Sequence, residues 1–531
     1  MSVSSLCKSV AKKGAVMRRL IIILLVLIIT GSSIRLNGGD TFDPAKDGWY
    51  FVNKGKEGLT WDLFRKAYLA IHPTKDCVSA PLDCAFYEIF KISGKKGVCG
   101  GMSLLGLALY KYGGYMGYCS PAKFYTGGSK GPDRKDLYDA LSILQARQFS
   151  VPGIRNFLDV VDAGNLNDAE AAFKTVKESL GKSDYPVLSI ANSLTGKEAH
   201  TVIPYKVEEN PSGYAPGTKI MYIWDPNFPY DDHANDYGGK SYNKKNIMVI
   251  TGTTAWKYRK YDGANKGWCF CIPMSKVLMK SRHPLALDMV FTALMTAFVK
   301  GTGSAVTQVS DDEGHRLYKE GQPGVLETDP SKRLKGAGRW PWFEQRGQGD
   351  LPQLYFIRRP VGETTPLNIS VSGREYKALF SMAGNMIEIN SQSTALATDV
   401  ITLTAIATAG QSIRVETSGA QRKVTVMQLR TGASEGEWRR YDVRNLRVTR
   451  EAPVTIDVQG DLGAIAVSSR DRAVTFDLGI QQRVHGSVST RTVPQLVTQP
   501  GKVLRVAPKD WKRLETTELE KKIKKRKNGH K

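Results

Sequence analysis

Two kinds of hydrophobic spacing divide this chain into a helix-bearing first part and a strand-bearing second part. In the first part, apolar residues recur at helical spacing, which predicts amphipathic helices over 61–71, 102–112, 136–148 and 167–180. Shorter apolar runs follow at 185–191, 199–208, 220–227 and 246–251 and predict buried strands. Helices followed by a set of antiparallel strands indicate an α+β domain.

Beyond residue 350 the apolar residues alternate with polar ones at a period of two. Turn residues separate these runs at the spacing of a β-sandwich. The predicted strands cover 367–372, 386–389, 400–404, 412–416, 423–427, 454–458, 464–467 and 473–477. We therefore predict that an all-β sandwich follows the α+β domain and occupies 351–490. We find no catalytic constellation there and interpret it as an accessory domain.

The segment between these two parts is polar and contains glycine and proline. This composition predicts a linker over 301–350. The apolar, methionine-rich segment 284–299 just before it is too short and too amphipathic for a membrane span. We expect it to be a helix that closes the first domain, which then covers 34–300.

The first 33 residues have the layout of a secretory signal peptide. Basic residues precede an apolar run over 20–29, and small residues follow it. The run is about half of the ~20 residues needed to span a bilayer, so an uncleaved anchor is the weaker alternative. We expect the protein to be secreted or held at the cell surface.

The chain is basic, with a formal net charge of +24 over 531 residues. Ten lysines and arginines against four acids lie in 509–531, and we predict a basic C-terminal tail over 491–531. Such a tail suits an anionic surface or polymer, although a solvated, disordered tail is the simpler interpretation. No nucleic-acid-binding motif accompanies it, and no specific nucleic-acid partner is expected.

The strongest chemical signal is Cys99, which glycines flank at the start of the second predicted helix. Free N–H groups and the positive end of the helix dipole at this position favour a thiolate, the nucleophilic form. His200 lies near the start of one predicted strand, and Asp225 ends the next. These residue types can serve as nucleophile, general base and orienting acid. The alternative for Cys99 is a buried structural cysteine.

Residues 40–300 resemble the papain-like cysteine peptidases, and most closely their secreted prokaryotic members. The similarity lies in Cys99-Gly-Gly-Met-Ser103, His200-Thr-Val202 and Asp225-Pro-Asn227. It implies a papain-like domain in which Cys99 is the nucleophile, His200 the base and Asp225 the orienting acid. The predicted fold class is thus a papain-like α+β domain followed by an all-β sandwich.

The chain departs from the papain-like pattern in two places. It carries an extra glycine after Cys99, and Ser93 stands where papain-like enzymes place the glutamine of the oxyanion hole. Some relatives use an asparagine in a Phe-x-Asn segment instead, and Phe51-Val-Asn53 is similar. The resemblance therefore implies that Asn53 is the oxyanion donor.

The remaining cysteines are interpreted through export to an oxidising compartment. Cys77 and Cys84 bracket a short loop and make the most natural disulfide. Cys119 pairs with Cys269 or Cys271 in one alternative, and in the other all of these cysteines stay reduced. The C-x-C spacing of the last two makes a poor zinc site.

The sequence thus predicts a secreted cysteine peptidase that cleaves protein or peptide substrates through an acyl-enzyme. No cofactor and no metal are expected, and the acidic segment 231–236 is interpreted as a solvated loop without EF-hand spacing. Two alternatives remain open: a transglutaminase-like acyl transferase, and a non-catalytic surface adhesin with a degenerate papain-like domain.

Overall fold

The structure is a computed structural model that describes residues 41–525 apart from several internal segments. The predicted signal peptide, Ser93 and the acidic segment 231–236 lie outside the described residues. The segments left out are 56–57, 70, 79, 92–96, 129–130, 181, 183, 193–197, 231–244, 265–266, 279–293, 302, 341–352, 359–363, 383–384, 407–409, 432–436, 460–461 and 516.

The described α-helices all lie before residue 279. They are α1 (Pro44–Asp47), α2 (Trp61–Ala67), α3 (Pro81–Phe90), α4 (Cys99–Tyr112), α5 (Lys135–Arg147), α6 (Val151–Asp162), α7 (Ala169–Ser179) and α8 (Met274–Leu278). Each of the four predicted helices is present with shifted ends. Helix α6 was not predicted, although Ser150 caps its N-terminus by accepting from Gly153 N.

An antiparallel sheet follows α7, as predicted, and α8 comes after its last strand. Its strands are β5 (Pro186–Ala191), β6 (His200–Glu209), β7 (Lys219–Trp224), β8 (Ile247–Ile250), β9 (Trp256–Tyr258), β10 (Tyr261–Asp262) and β11 (Trp268–Pro273), in the order β10-β9-β8-β7-β6-β5-β11. The two-residue pairs β1 (Gly114–Tyr115) with β2 (Tyr118–Cys119) and β3 (Gly127–Gly128) with β4 (Gly131–Pro132) precede it. We call everything up to α8 the helix–strand region.

Helix α4 is deeply buried within this region. Every residue from Gly100 to Leu109 is buried, so the helix is enclosed on all sides rather than amphipathic. Gly113 ends it in the left-handed conformation, with its N–H bonded to Leu109 O. The Ser103 hydroxyl donates to Thr201 O at 3.1 Å and ties the helix to β6.

The rest of the described chain is almost entirely strand. These strands are β12 (Leu294–Lys300), β13 (Ala305–Asp311), β14 (Ala337–Trp340), β15 (Gln353–Arg358), β16 (Leu367–Met382), β17 (Asn385–Ile406), β18 (Gly410–Thr417), β19 (Arg422–Thr431), β20 (Trp438–Val448), β21 (Val454–Val458), β22 (Ile465–Ser469), β23 (Thr475–Val484), β24 (Ser487–Val497), β25 (Lys502–Pro508) and β26 (Leu519–Lys525). We call this part the β-rich region. Together with the helix–strand region it confirms the predicted α+β class.

The long strand β17 divides the β-rich region into two arms. Its first half pairs with β19, which leads to β20, β23 and β24. Its second half pairs with β18, which leads to β21, β22, β25 and β26. Apolar side chains from both arms, such as Val426 and Ile413, belong to one buried cluster. The two arms therefore enclose a shared core.

The structure corrects three sequence-based boundaries. The end of the predicted closing helix at 284–299 is strand β12, which pairs with β15 and β16 because its apolar residues fill positions inside the sheet. The predicted linker contains β13 and β14, which also pair with this sheet. The predicted tail from 491 contains β25, β26 and most of β24. Lysines flanking a few apolar residues had suggested a solvated tail.

The two regions share one hydrophobic cluster. Phe298, Phe356 and Trp438 of the β-rich region are buried together with helix residues such as Leu144 and Phe157. The Trp438 indole N–H also donates to Val78 O at 2.7 Å. We expect from this shared core that the two regions unfold together.

The cysteines follow the prediction in one case and depart from it in another. Cys77 and Cys84 form a disulfide, as predicted. Cys119 is free and exposed, while Cys269 and Cys271 are free and buried, so the alternative pairing of Cys119 is wrong. Among the described residues, no helix is long and apolar enough to cross a membrane.

Candidate active site

Cys99 is the first residue of α4, at the loop-to-helix junction that the sequence predicted. Val98 at the N-cap makes no side-chain capping bond. Gly97 adopts a φ of 147°, a conformation that residues with a side chain rarely adopt. A Cβ at this position would stand 2.6 Å from Asn53 Nδ2, so glycine allows the backbone before Cys99 to approach that amide.

The glycines after Cys99 allow α4 to pack closely on α5. A Cβ at Gly101 would lie 1.9 Å from Leu141 O, and one at Gly100 would lie 2.0 Å from Gln148 Nε2. The Gly101 N–H donates to Gln145 Oε1 at 3.1 Å, which satisfies one first-turn donor. This close packing is a structural reason for the extra glycine.

His200 and Asp225 meet because β6 and β7 are neighbouring strands. His200 begins β6, and Asp225 follows directly after β7. His200 Nε2 lies 2.7 Å from Asp225 Oδ1, and their side chains are only 3% and 1% exposed. A buried pair of this kind is held in one geometry.

Cys99 and His200 share a side-chain hydrogen bond, which completes the predicted set. Since Nε2 of His200 faces Asp225, its Nδ1 is the ring nitrogen left for the sulfur. The backbone N–H groups of Thr201 and Gly100 also bond to this sulfur. Cys99 remains partly exposed to solvent.

The electrostatics of the site favour a thiolate beside an imidazolium. Burial acts to raise the pKa of Cys99, but the hydrogen bond and charge of His200 and the backbone hydrogen bonds of Thr201 and Gly100 together outweigh it and lower that pKa. Burial acts to lower the pKa of His200, but the charges of Asp225 and Cys99 and the hydrogen bonds to both residues together outweigh it and raise that pKa. The pKa of Asp225 is lowered despite burial, chiefly by the charge of His200.

Asn53 lies next to the nucleophile, held by its neighbours. Its Oδ1 accepts from Val98 N at 2.6 Å, directly before Cys99. Its Nδ2 donates to Asn227 Oδ1 at 2.9 Å. One hydrogen of the Asn53 amide is thus engaged with Asn227, and the second is left for another acceptor.

Sequence reasoning missed the side chains that surround the His200–Asp225 pair. The Tyr258 hydroxyl donates to Asp225 Oδ2 at 2.7 Å. The Tyr261 ring lies parallel to the His200 ring, with centroids 6.2 Å apart. Asn227 N donates to Asp225 Oδ1 at 2.7 Å. The aromatic hairpin was visible in the sequence, but nothing local indicated which strand it would meet.

One further cluster of potential metal ligands lies in the β-rich region. Asp311, Glu313 and His315 place ligand atoms within 4.8 Å of one another. His315 Nδ1 already lies 2.9 Å from Asp311 Oδ2, and Glu313 is exposed. A hydrogen bond between Asp311 and His315 across a turn accounts for this cluster without a metal.

The site can therefore present an activated sulfur, a proton carrier and an amide donor at one helix start. This arrangement suits nucleophilic attack on a carbonyl carbon followed by proton transfer to a leaving group. Comparison with known proteins adds no further assignment, because no protein-family model, curated protein or solved structure matches this chain.

Proposed function

We propose that this chain is a secreted cysteine peptidase with a papain-like helix–strand region and a β-sandwich accessory region. One observation carries the proposal: the continuous hydrogen-bonded series from Cys99 through His200 to Asp225, with a different ring nitrogen of His200 facing each partner. A merely structural buried cysteine does not need a charged imidazole beside it, and burial alone would keep its thiol neutral.

The proposed reaction begins with attack of the Cys99 thiolate on the carbonyl carbon of a peptide bond. The Cys99 backbone N–H and the second N–H of Asn53 Nδ2 stabilise the oxyanion that forms. The His200 imidazolium then gives its proton to the departing amine, which leaves an acyl-enzyme. His200, now neutral, deprotonates a water that hydrolyses the thioester and restores the thiolate.

Asp225 holds His200 in orientation and stabilises its imidazolium form through this cycle. Because Asp225 Oδ1 accepts from Nε2, the Nδ1 proton stays directed toward the sulfur and the leaving group. Asn53 is fixed from both sides by Val98 and Asn227, so its amide is ordered before substrate arrives. Preordered donors cost little reorganisation during the reaction.

The rest of the chain fits an exported enzyme. The Cys77–Cys84 disulfide is typical of oxidising compartments. The β-rich region supports the helix–strand region through the shared core and ends in β26, where Lys521, Lys522 and Lys524 are exposed. We assign to these lysines the salt-dependent contact with an anionic surface or polymer.

Labelling and hydrolysis on the purified mature protein test this function. An epoxide-type inhibitor of thiol proteases should modify Cys99 alone among the free cysteines, and unfolded protein substrates should be cut. Cys99→Ala should abolish both results while the melting temperature stays unchanged. Cys119→Ala is the matched control, since it removes an exposed free thiol that is not part of the Cys99–His200–Asp225 series, and it should change neither.

Each alternative gives a different outcome in the same assays. A transglutaminase-like enzyme would join a primary amine to glutamine side chains without net cleavage. A non-catalytic adhesin would leave the substrates intact and Cys99 no more reactive than Cys119. Labelling of Cys119, Cys269 or Cys271 with full activity in Cys99→Ala would contradict the assignment of the nucleophile.

A further inference from the structure

The Asp225 carboxylate is hydrogen-bonded through both of its oxygens. Oδ1 accepts from His200 Nε2 and from Asn227 N, each at 2.7 Å. Oδ2 accepts from the Tyr258 hydroxyl, also at 2.7 Å. The first oxygen thus serves the catalytic pair and its own turn, while the second is held by a side chain from another strand.

Tyr258 reaches this oxygen because β8 and β9 extend the sheet next to β7. It ends β9, is 1% exposed, and pairs with Tyr261 across the β9–β10 hairpin. The two tyrosine rings lie parallel with centroids 6.3 Å apart, and the Tyr261 ring is in turn parallel to that of His200. The hairpin therefore contacts both members of the pair, one through a hydroxyl and the other through a ring.

We propose that Tyr258 is a positioning residue for the Cys99–His200–Asp225 series. Its hydroxyl fixes Oδ2 and so prevents the carboxylate from turning about its Cβ–Cγ bond. The other oxygen then stays directed at His200 Nε2, which keeps the imidazolium beside the Cys99 sulfur. The catalytic importance of Tyr258 rests on the proposed peptidase function, whereas its hydrogen bond to Asp225 does not depend on that function.

A carboxylate bonded through one oxygen alone would be less well defined. Hydrogen bonds to an ionised group are the strong ones, and losing one from a buried carboxylate leaves an oxygen without its solvation. Near this oxygen, Tyr258 also lies 3.5 Å from Asn246 Oδ1, which accepts from Arg259 at 2.6 Å. Arg259 therefore directs one of its donors to Asn246.

The other ionisable groups around the pair are few in the part of the chain that the structure describes. Cys99 contacts His200 from α4, and the Tyr261 hydroxyl is influenced by the charges of Asp225, Cys99 and Glu198. Glu198 itself is paired with Lys260 at 3.2 Å. Loss of the Tyr258 hydroxyl removes a hydrogen bond from Asp225 directly, and we expect any effect on the thiolate to pass through that carboxylate.

The test compares Tyr258→Phe with Tyr185→Phe in the full chain. Tyr185 is equally buried, and its hydroxyl donates to Pro204 O over the same 2.7 Å, so it controls for the loss of a buried hydroxyl. The rate of Cys99 alkylation by iodoacetamide is measured against pH. In Tyr258→Phe we expect the acid limb of this pH profile, which reports the pKa of Cys99, to move to a pH about one unit higher. The reason is that the hydrogen bond between Asp225 and the His200 imidazolium is weakened when the carboxylate is no longer held. Tyr185→Phe should leave it in place.

A second comparison asks whether the effect passes through the carboxylate. In an Asp225→Asn background, Tyr258→Phe should cause no further shift, because the charge it positions is gone. A shift that persists in that background, an equal shift in Tyr185→Phe, or no shift at all would overturn the proposal. So would an unfolded Tyr258→Phe protein, because the hydroxyl would then be needed for folding.

Alkylation does not require turnover, so the two proposals fail in different ways. If the chain is not a peptidase, wild-type protein cuts no substrate while the pH profiles still separate the variants. If Tyr258 is not a positioning residue, hydrolysis by the wild type continues and the Tyr258→Phe profile matches that of the wild type.

Discussion

Each region of this molecule contains a buried carboxylate paired with a cation. In the β-rich region, Asp399 accepts from Arg422 Nε at 2.9 Å and from the hydroxyls of Tyr376 and Ser391, each at 2.8 Å. In the helix–strand region, Asp225 accepts from a histidine, a tyrosine hydroxyl and a backbone N–H. Each carboxylate thus accepts three hydrogen bonds, one of them from a tyrosine hydroxyl.

The cations differ, and this difference separates a structural pair from a chemical one. Arg422 is fully buried, and its guanidinium, which has donors and no acceptor, also donates to the backbone carbonyls of Gly373, Arg374 and Ala397. His200 titrates and uses only one nitrogen on Asp225, which leaves the other for Cys99. Arg422 and Asp399 therefore stabilise the bulge between β16 and β17, whereas His200 keeps one ring nitrogen available for Cys99.

The largest effect is expected from removing the structural cation. Arg422→Met leaves Asp399 charged and buried without its partner, which costs about 3–5 kcal/mol of unfolding free energy. Denaturant unfolding would measure this loss. The rate of Cys99 alkylation in the folded protein should stay at the wild-type value.

A double variant serves as the control for this prediction. Arg422→Met combined with Asp399→Leu removes both charges and should recover part of the lost stability. If Arg422→Met alone changes the unfolding free energy by less than about 1 kcal/mol, the network is not the structural element described here.

A smaller effect is expected at Asp225, where the change falls on turnover rather than on stability. Asp225→Asn keeps an oxygen that can accept from Asn227 N and His200 Nε2, so the melting temperature should change little. The imidazolium loses a charged partner worth about 1.5–3 kcal/mol, so turnover should fall about 10- to 100-fold. Wild-type turnover in Asp225→Asn would show that this residue serves only its turn.

The parts of the site that could be predicted from sequence are those with a local signal. Cys99 was found from its glycines and helix start, and Asp225 from its strand end followed by proline. The Cys77–Cys84 disulfide followed from a short loop between two cysteines. Each of these depends on neighbours in the chain, whose geometry the local sequence largely determines.

What the sequence did not predict depends on strand neighbours that are distant in the chain. Tyr258 meets Asp225 only because β8 and β9 lie beside β7 in the sheet. Strand β12 was mistaken for a helix because a short apolar run has no reliable period. Strand β26 was predicted to be part of a basic tail because it is rich in lysine. It pairs with β25 at the edge of the sheet, where charged residues are common.

The dependence on pH should also separate the two ion pairs. The pKa of Cys99 is lowered and that of His200 is raised, so the thiolate–imidazolium pair forms as pH rises through the pKa of Cys99. The pair is lost again as pH rises through the pKa of His200. Stability from the raised pKa of His200 is fully present below its unfolded-state pKa of about 6.5 and declines as pH rises through the folded-state value.

Alkylation of wild-type protein measures this dependence directly. Near pH 6, Cys99 should react at least about tenfold faster than the exposed Cys119, which serves as a comparison within the same chain. His200→Gln should remove this advantage. The Arg422 network shares no residue with the Cys99–His200–Asp225 series, so Arg422→Met should leave the profile unchanged. Equal reactivity of the two cysteines would contradict the ion pair.

The smallest effect is expected at a third, exposed ion pair between the two regions. Arg358 pairs with Asp159 and, at 3.7 Å, with Asp162, and its side chain is 39% exposed. Asp162 Oδ1 also accepts from Gly336 N at 2.6 Å, a contact that does not need the arginine. Water competes for exposed charges, so Arg358→Gln should lower the unfolding free energy by less than about 1 kcal/mol, and by less still in high salt. Denaturant unfolding at two salt concentrations measures this. A loss as large as that of Arg422→Met would mean that charge, rather than the shared apolar core, holds the two regions together.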